Sequence, residues 1–180
     1  MNKFNVIWGV IAVISSAGAM AFDGTITFNG KVVDQSCSVD TAGKNLTVTL
    51  PTVAASSLDL ASKTTGMTPF YIKLTGCGVG PNQSKKVKLF FDNSATVDAN
   101  TGNLMNTASG TKAENVQIQL MNADAATAIN LNKDFAGQSV KVTDITAPDV
   151  TLRYNAQYFA TATATAGDVK TTVNYTIAYE

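Results

Sequence analysis

The sequence predicts an all-β domain, a sandwich or barrel of short antiparallel strands. Three observations carry this. Apolar residues recur with period two along most of the chain, and clusters of turn-forming residues separate the runs. The two ends left after a predicted export signal also read as strands, with no evident partner within the chain.

Residues 1–21 are predicted to be a signal peptide. Lys3 supplies a positive start, Phe4 to Val13 is mostly apolar, and Ala19-Met20-Ala21 fits an A-x-A cleavage site, making Phe22 the first mature residue. The apolar run is too short for a membrane span and no stop-transfer charges follow it. In the next segment Phe22, Gly24, Ile26 and Phe28 fall on one strand face and Asp23, Thr25, Thr27 and Asn29 on the other. Chain ends fray unless something holds them, so a large apolar residue at this end predicts that another molecule holds it. The alternative is an ordinary edge strand packed on its own domain.

Further strands are predicted at Leu46-Val48-Leu50, Phe70-Ile72-Leu74, Val87-Leu89-Phe91, Val116-Ile118-Leu120, Val140-Val142 and Val150-Leu152-Tyr154-Ala156-Tyr158. The last is Val173-Tyr175-Ile177-Tyr179. Polar residues such as Lys73, Lys88, Gln119 and Arg153 alternate with these, the pattern of half-buried antiparallel strands. Turns are predicted at Ala42–Asn45, Gly76–Asn82, Asp98–Asn103, Ser109-Gly110, Ala136-Gly137 and Ala166–Asp168. Residues 55–66 and 122–134 have room for a short helical turn, and the Ala/Thr tract from Phe159 to Ala166 reads as a strand end running into a loop.

The 180 residues leave one domain after cleavage. Removing Lys3 leaves 12 basic against 13 acidic residues, a net charge of −1, and no basic stripe, which argues against a nucleic-acid partner. Histidine is absent, so the commonest general base is missing, and no G-x-S-x-G or phosphate-cradling loop is present. The aspartates are scattered at expected turns. No enzyme activity, cofactor or metal site is expected. With an export signal, Cys37 and Cys77 read as one disulfide; closing a loop between positions 40 apart is worth roughly 4 kcal/mol in the chain-entropy account. Three N-x-S/T sequons occur, at Asn45, Asn82 and Asn174, and the last lies within a predicted strand.

Taken in order, these motifs resemble the pilin subunits of chaperone–usher fimbriae, the type 1 and P pilus family. The resemblance rests on Gly24-x-Ile26-x-Phe28-x-Gly30-x-Val32-Val33, then Asp34-x-x-Cys37-Ser38-Val39, then Phe70-x-Ile72-x-Leu74-x-x-Cys77. It continues through Val116-x-Ile118-x-Leu120 and Ala156-x-Tyr158-Phe159-Ala160-Thr161 to Val173-x-Tyr175-x-Ile177-x-Tyr179-Glu180. Glu180 stands where many members have Gln, and little effect is expected.

The resemblance implies an incomplete immunoglobulin-like sandwich, lacking its seventh strand and completed by a donor strand from another molecule. It implies a signal peptide at 1–21, a donor-strand extension at 22–34 and a pilin domain at 35–180. Phe22, Gly24, Ile26 and Phe28 would be the donor residues. Val173, Tyr175, Ile177 and Tyr179 would line the acceptor groove and meet the chaperone. The implied partners are identical or related pilin subunits, a periplasmic chaperone and an outer-membrane usher. The implied destination is a cell-surface fimbria reached through the periplasm. Chaperone–pilin complementation is an established case of β-strand addition.

Tip adhesins of the family carry an additional lectin domain and lack the extension, so a shaft or adaptor subunit is expected, with the major shaft pilin favoured. Two readings compete: a minor adaptor pilin, and a free-standing secreted β-sandwich that binds a carbohydrate or protein through its loops.

Overall fold

The computed structural model describes residues 26–30, 32 and 37–180. The predicted signal peptide lies outside the described residues, as do Phe22 and Gly24 of the predicted donor strand. The chain divides into two units, Met1–Val32 and Val33–Glu180. In the first, residues 26–30 and 32 take no regular secondary structure, and Ile26 and Phe28 are 80% and 88% exposed.

The second unit is all-β with two antiparallel sheets. Its strands are β1 (Ser38–Val39), β2 (Thr64–Thr75), β3 (Lys86–Phe91), β4 (Leu104–Met105), β5 (Val116–Asn122), β6 (Thr143–Asp144), β7 (Val150–Ala160) and β8 (Tyr175–Tyr179). One sheet has the order β1-β2-β7-β5-β4 and the other β6-β3-β8. β7 is the centre of the larger sheet. It pairs with β2 from Leu74↔Val150 to Thr64↔Phe159 and with β5 from Val116↔Ala160 to Asn122↔Tyr154. The β2 register shifts between Thr65 and Thr68, where Gly66 has φ +71°, and a Cβ there would lie 2.9 Å from the Tyr158 ring.

The period-two pattern becomes burial in the two sheets. Ile72, Leu74, Leu120, Leu152 and Tyr154 from one sheet meet Val87, Leu89 and Phe91 from the other in a single core. Each such side chain contributes about 1.5–3 kcal/mol when removed from water. The rings of Phe91 and Tyr154 meet edge-on at 5.5 Å.

β3 has its outer edge satisfied piecemeal. Val87 pairs with Thr143 of β6, the Leu89 N–H donates to the Tyr154 hydroxyl at 3.2 Å, and Gln138 takes the rest. The Gln138 Oε1 accepts from the Phe91 N–H at 3.1 Å and its Nε2 donates to the Phe91 carbonyl at 2.6 Å. A side-chain amide thus replaces a strand, which keeps a buried edge paired.

Cys37 and Cys77 form a disulfide, tying the segment before β1 to the end of β2. Among the described residues no group of three or more Cys, Asp or Glu side chains gathers as a metal site.

Several local expectations give way. Ala42–Asn45 is mostly a short helix, Thr41–Lys44, capped by Asp40, whose carboxylate accepts from the Ala42 N–H at 2.9 Å. The region 55–66 does hold a short helical turn, of 3₁₀ type, at Ala55–Leu58, whereas 122–134 forms no helix: Asn122 ends β5, and turns and bends follow with a bridge from Ala128 to Met121. At Val140-Val142 no strand forms, because the Lys141 N–H is taken by the Asn122 side chain at 2.7 Å; β6 starts at Thr143. Leu46-Val48-Leu50 is in no strand, and the last strand starts at Tyr175 rather than Val173.

Candidate functional site

The two missing stretches of strand face one another across an open cleft of about 910 Å³. Residues 44–50 form one wall and residues 168–175 the other. The floor is apolar: Phe70 and Ile72 from β2, Ile118 and Leu120 from β5, Ala156 and Tyr158 from β7, with Phe91 and Leu104. The charged lining residues Lys44, Asp168 and Lys170 are all exposed. No convergent set of titratable groups sits on the floor, so the cleft has none of the acid–base apparatus of an enzyme pocket.

The 168–175 wall leads into β8, and its backbone is satisfied on one side. Lys170 donates its N–H to Asn106 Oδ1 at 3.0 Å and accepts at its carbonyl from the Thr107 N–H at 2.7 Å. The Thr172 carbonyl accepts from Thr96 Oγ1, and the Asn174 carbonyl accepts from the Asp92 N–H. In extended chain the backbone groups alternate between the two edges. The N–H and C=O of Val169, Thr171 and Val173 therefore point the other way, and none has a partner among the described residues. The Thr171 hydroxyl is buried and unpaired as well.

Opposite, residues 46–50 also enter no backbone hydrogen bond among the described residues. From Thr47 to Leu50 the side chains keep strand alternation, with Val48 and Leu50 half-buried and Thr47 and Thr49 exposed. Both walls are strands in pattern, and no ladder joins them among the described residues. Such unpaired edges template β-pairing.

At one end the walls touch. The Tyr175 hydroxyl donates to the Gly43 carbonyl at 2.7 Å, and burial raises its phenol above the ordinary range, which keeps the donor neutral. Burial likewise raises Tyr158 and Tyr179.

Of the predicted acceptor residues, Val173 and Tyr175 line the cleft. Ile177 and Tyr179 continue the same half-buried face along β8, packed against the core and outside the cleft lining. Ile26 and Phe28, predicted donors, are exposed. The sequence reading missed Val169, Thr171, the 44–50 wall as a wall, and the floor. Val169 and Thr171 were legible in principle, since they share the parity of Val173, Tyr175 and Ile177, and half-burial alternates from Val169 to Ile177.

Glu180 has more to do than its position suggested. Its carboxylate lies 2.5 Å from Lys88 Nζ, whose side chain is only 8% exposed and sits 4.2 Å from the centre of the Phe135 ring. Its N–H donates to the Lys86 carbonyl at 3.1 Å, and the Ser84 hydroxyl donates to its carbonyl oxygen. A Gln in its place would leave Lys88 without a counter-charge.

The likeness to known proteins agrees with this geometry. The family model described as FimA, type-1 fimbrial protein A, matches residues 50–180. The F17 fimbrial protein of Escherichia coli is 55% identical over the whole of both chains. The major fimbrial subunit SMF-1 of Stenotrophomonas maltophilia strain K279a is 45% identical over 89% of this chain and 95% of that one. Among solved structures, the P pilus rod subunit PapA has a TM-score of 0.61 at 18% identity, covering 80% of this chain and 99% of its own. A subunit from a chaperone–usher pilus has a TM-score of 0.63 at 19% identity, covering 88% and 96%.

The two-sheet β-domain with its open apolar cleft has the fold of these solved pilus subunits. The chain belongs to the FimA family of chaperone–usher fimbrial subunits: a non-enzymatic component of a cell-surface pilus.

Proposed function

We propose that the chain is the major, shaft-forming subunit of its fimbria and polymerises by donor-strand exchange. Phe22, Gly24, Ile26 and Phe28 of one copy enter the cleft of the next, between residues 44–50 and 168–175. The observation that carries this reading is the unpaired edge at Val169, Thr171 and Val173 above an apolar floor. An incoming strand supplies the missing N–H and C=O partners and covers the floor. Val173 and Tyr175 meet the donor directly, and Ile177 and Tyr179 continue the acceptor strand. Ile26 and Phe28, exposed at 80% and 88%, each contribute about 1.5–3 kcal/mol on burial, before the ordering cost. Gly24 lacks a side chain and lets two backbones approach closely.

One extension and one cleft per copy make a head-to-tail contact, which gives an open filament when the rotation does not close. Before assembly, the same cleft requires a periplasmic chaperone to cover it, and an outer-membrane usher is where the chaperone is exchanged for the next subunit. The major role is favoured over a minor one by the likeness to SMF-1, a major subunit, at 45%, against 38% for the minor subunit HifD of Haemophilus influenzae.

Deleting residues 22–28 tests this. The shortened chain should accumulate in the periplasm with its chaperone and form no fibre. Normal fibres from the deleted chain would refute the donor role. A stable, chaperone-free monomer at all concentrations in gel filtration would favour a free-standing binding module instead.

A further inference from the structure

We infer that Asn29–Gly30 is a site of spontaneous covalent ageing, an asparagine that cyclises and rearranges to isoaspartate. It is the only Asn-Gly pair in the sequence. Both residues are exposed and outside any strand or helix, and neither has a hydrogen-bond partner among the described residues. A Cβ built on Gly30 would meet nothing within 4 Å.

These features are what the reaction requires. The Gly30 backbone nitrogen attacks the Asn29 side-chain carbonyl carbon, forming a C–N bond and expelling ammonia, with the amide proton lost to solvent. Water then opens the succinimide. Cleavage at one carbonyl restores the normal chain as Asp, and cleavage at the other leaves the main chain running through the former side chain, as isoaspartate. A side chain on the following residue would crowd the attack, and a backbone held in a ladder would keep the nitrogen away from the carbonyl. Glycine removes the first obstacle and gives the backbone the freedom to reach the reactive geometry. The second obstacle is missing here.

Four other asparagines differ in recognisable ways. Asn122 and Asn155 are buried, with their carboxamides hydrogen-bonded. Asn45 and Asn174 are exposed but are followed by Leu46 and Tyr175. Asp23–Gly24, the acid counterpart, lies outside the described residues, and its isomerisation releases no ammonia and leaves the mass unchanged.

The consequence rests on the donor-strand reading. Isoaspartate adds one carbon to the main chain directly after Phe28 and leaves a free α-carboxylate as its side group. A one-step slip reverses every later side chain in a strand, so the extension would lose its alternation at that point. Seating in a ladder would in turn suppress the reaction, so assembly would arrest the ageing of the segment that drives it.

The test follows peptide mass and enzymatic isoaspartate labelling at each asparagine. The chain is kept in mildly alkaline buffer, once as the unpolymerised full-length mature subunit in complex with its chaperone and once as fibres. Conversion in the subunit should be severalfold faster at Asn29 than at Asn45 or Asn174, and Gly30→Val should bring it down to their level. Conversion at Asn29 no faster than at those two would overturn the assignment. Fibres should protect Asn29. If Asn29 is the fastest site yet ages equally in fibres and subunits, the modification site stands and the donor-strand consequence falls.

Discussion

Replacing Tyr154 with Phe should remove a single bond between the two sheets and register at two different pH values. Tyr154 is 2% exposed, and its hydroxyl accepts from the Leu89 N–H at 3.2 Å. Leu89 is fully buried in the core. Phenylalanine keeps the ring contacts with Phe70 at 5.7 Å and Phe91 at 5.5 Å, so no cavity opens. What is lost is the acceptor, leaving a buried N–H unpaired at a cost of about 1–3 kcal/mol. For a domain of this size that lowers Tm by about 2–12 °C.

The alkaline signature is independent. Burial pushes the Tyr154 phenol up to about 12, with the Leu89 N–H pulling slightly the other way. The folded state therefore holds this proton when the unfolded chain, titrating near the ordinary value of about 10, has released it. The stabilisation is complete below pH about 10 and is lost as pH rises toward about 12, by roughly 2–3 kcal/mol. Tyr154→Phe has no such proton, so its alkaline loss should be shallower, though not absent, because Tyr158, Tyr175 and Tyr179 are raised too. Urea unfolding of both chains at neutral pH and across the alkaline range reads both effects. An unchanged neutral midpoint with an equally steep alkaline decline would refute the role assigned to the hydroxyl.

Glu180→Gln should destabilise by about 1–2 kcal/mol, between the values for exposed and buried pairs, with a smaller effect at high salt; thermal melts at two ionic strengths check this. Ala125→Gly should stabilise by about 0.5–1 kcal/mol, because Ala125 sits at φ 55°, in the left-handed region; a lower Tm would contradict it. Acid should weaken the turns at Asp98 and Asp124. Hydrogen bonding from the Thr101 backbone holds Asp98 below the usual carboxylate range, and the Lys141 ammonium, with the Thr127 and Ala126 N–H groups, does the same for Asp124. Their contribution is present above the unfolded carboxylate pKa and fades as pH falls beneath it, so Asp124→Asn should flatten the acid limb of the stability curve.

The strand pattern was legible because a side chain's face follows from position parity alone, whatever the strand pairs with. That is why Phe70-Ile72-Leu74, Val87-Leu89-Phe91 and Val150-Leu152-Tyr154 lie inward as expected, and why the cysteine pair was read from two residues and an export signal. Pairing is a property of two segments at once, which a single stretch of sequence does not carry. Leu46-Val48-Leu50 alternates as well as any paired strand here, yet it runs unpaired along the cleft. The cleft floor was illegible for the same reason: Phe70, Ile118 and Tyr158 come from three strands, and only their registers bring them together.

By itself, then, the sequence determined which residues alternate, that the cysteines would pair, and that the segment from Ile26 to Phe28 carries large apolar side chains. The tertiary structure decided that Gln138 would stand in for a strand, that Glu180 would answer a buried lysine, and that the 168–175 wall would be bonded on one edge only. Those outcomes depend on distances between segments remote in sequence, and hydrogen bonds and ion pairs are set by distance and angle, which residue order does not encode locally.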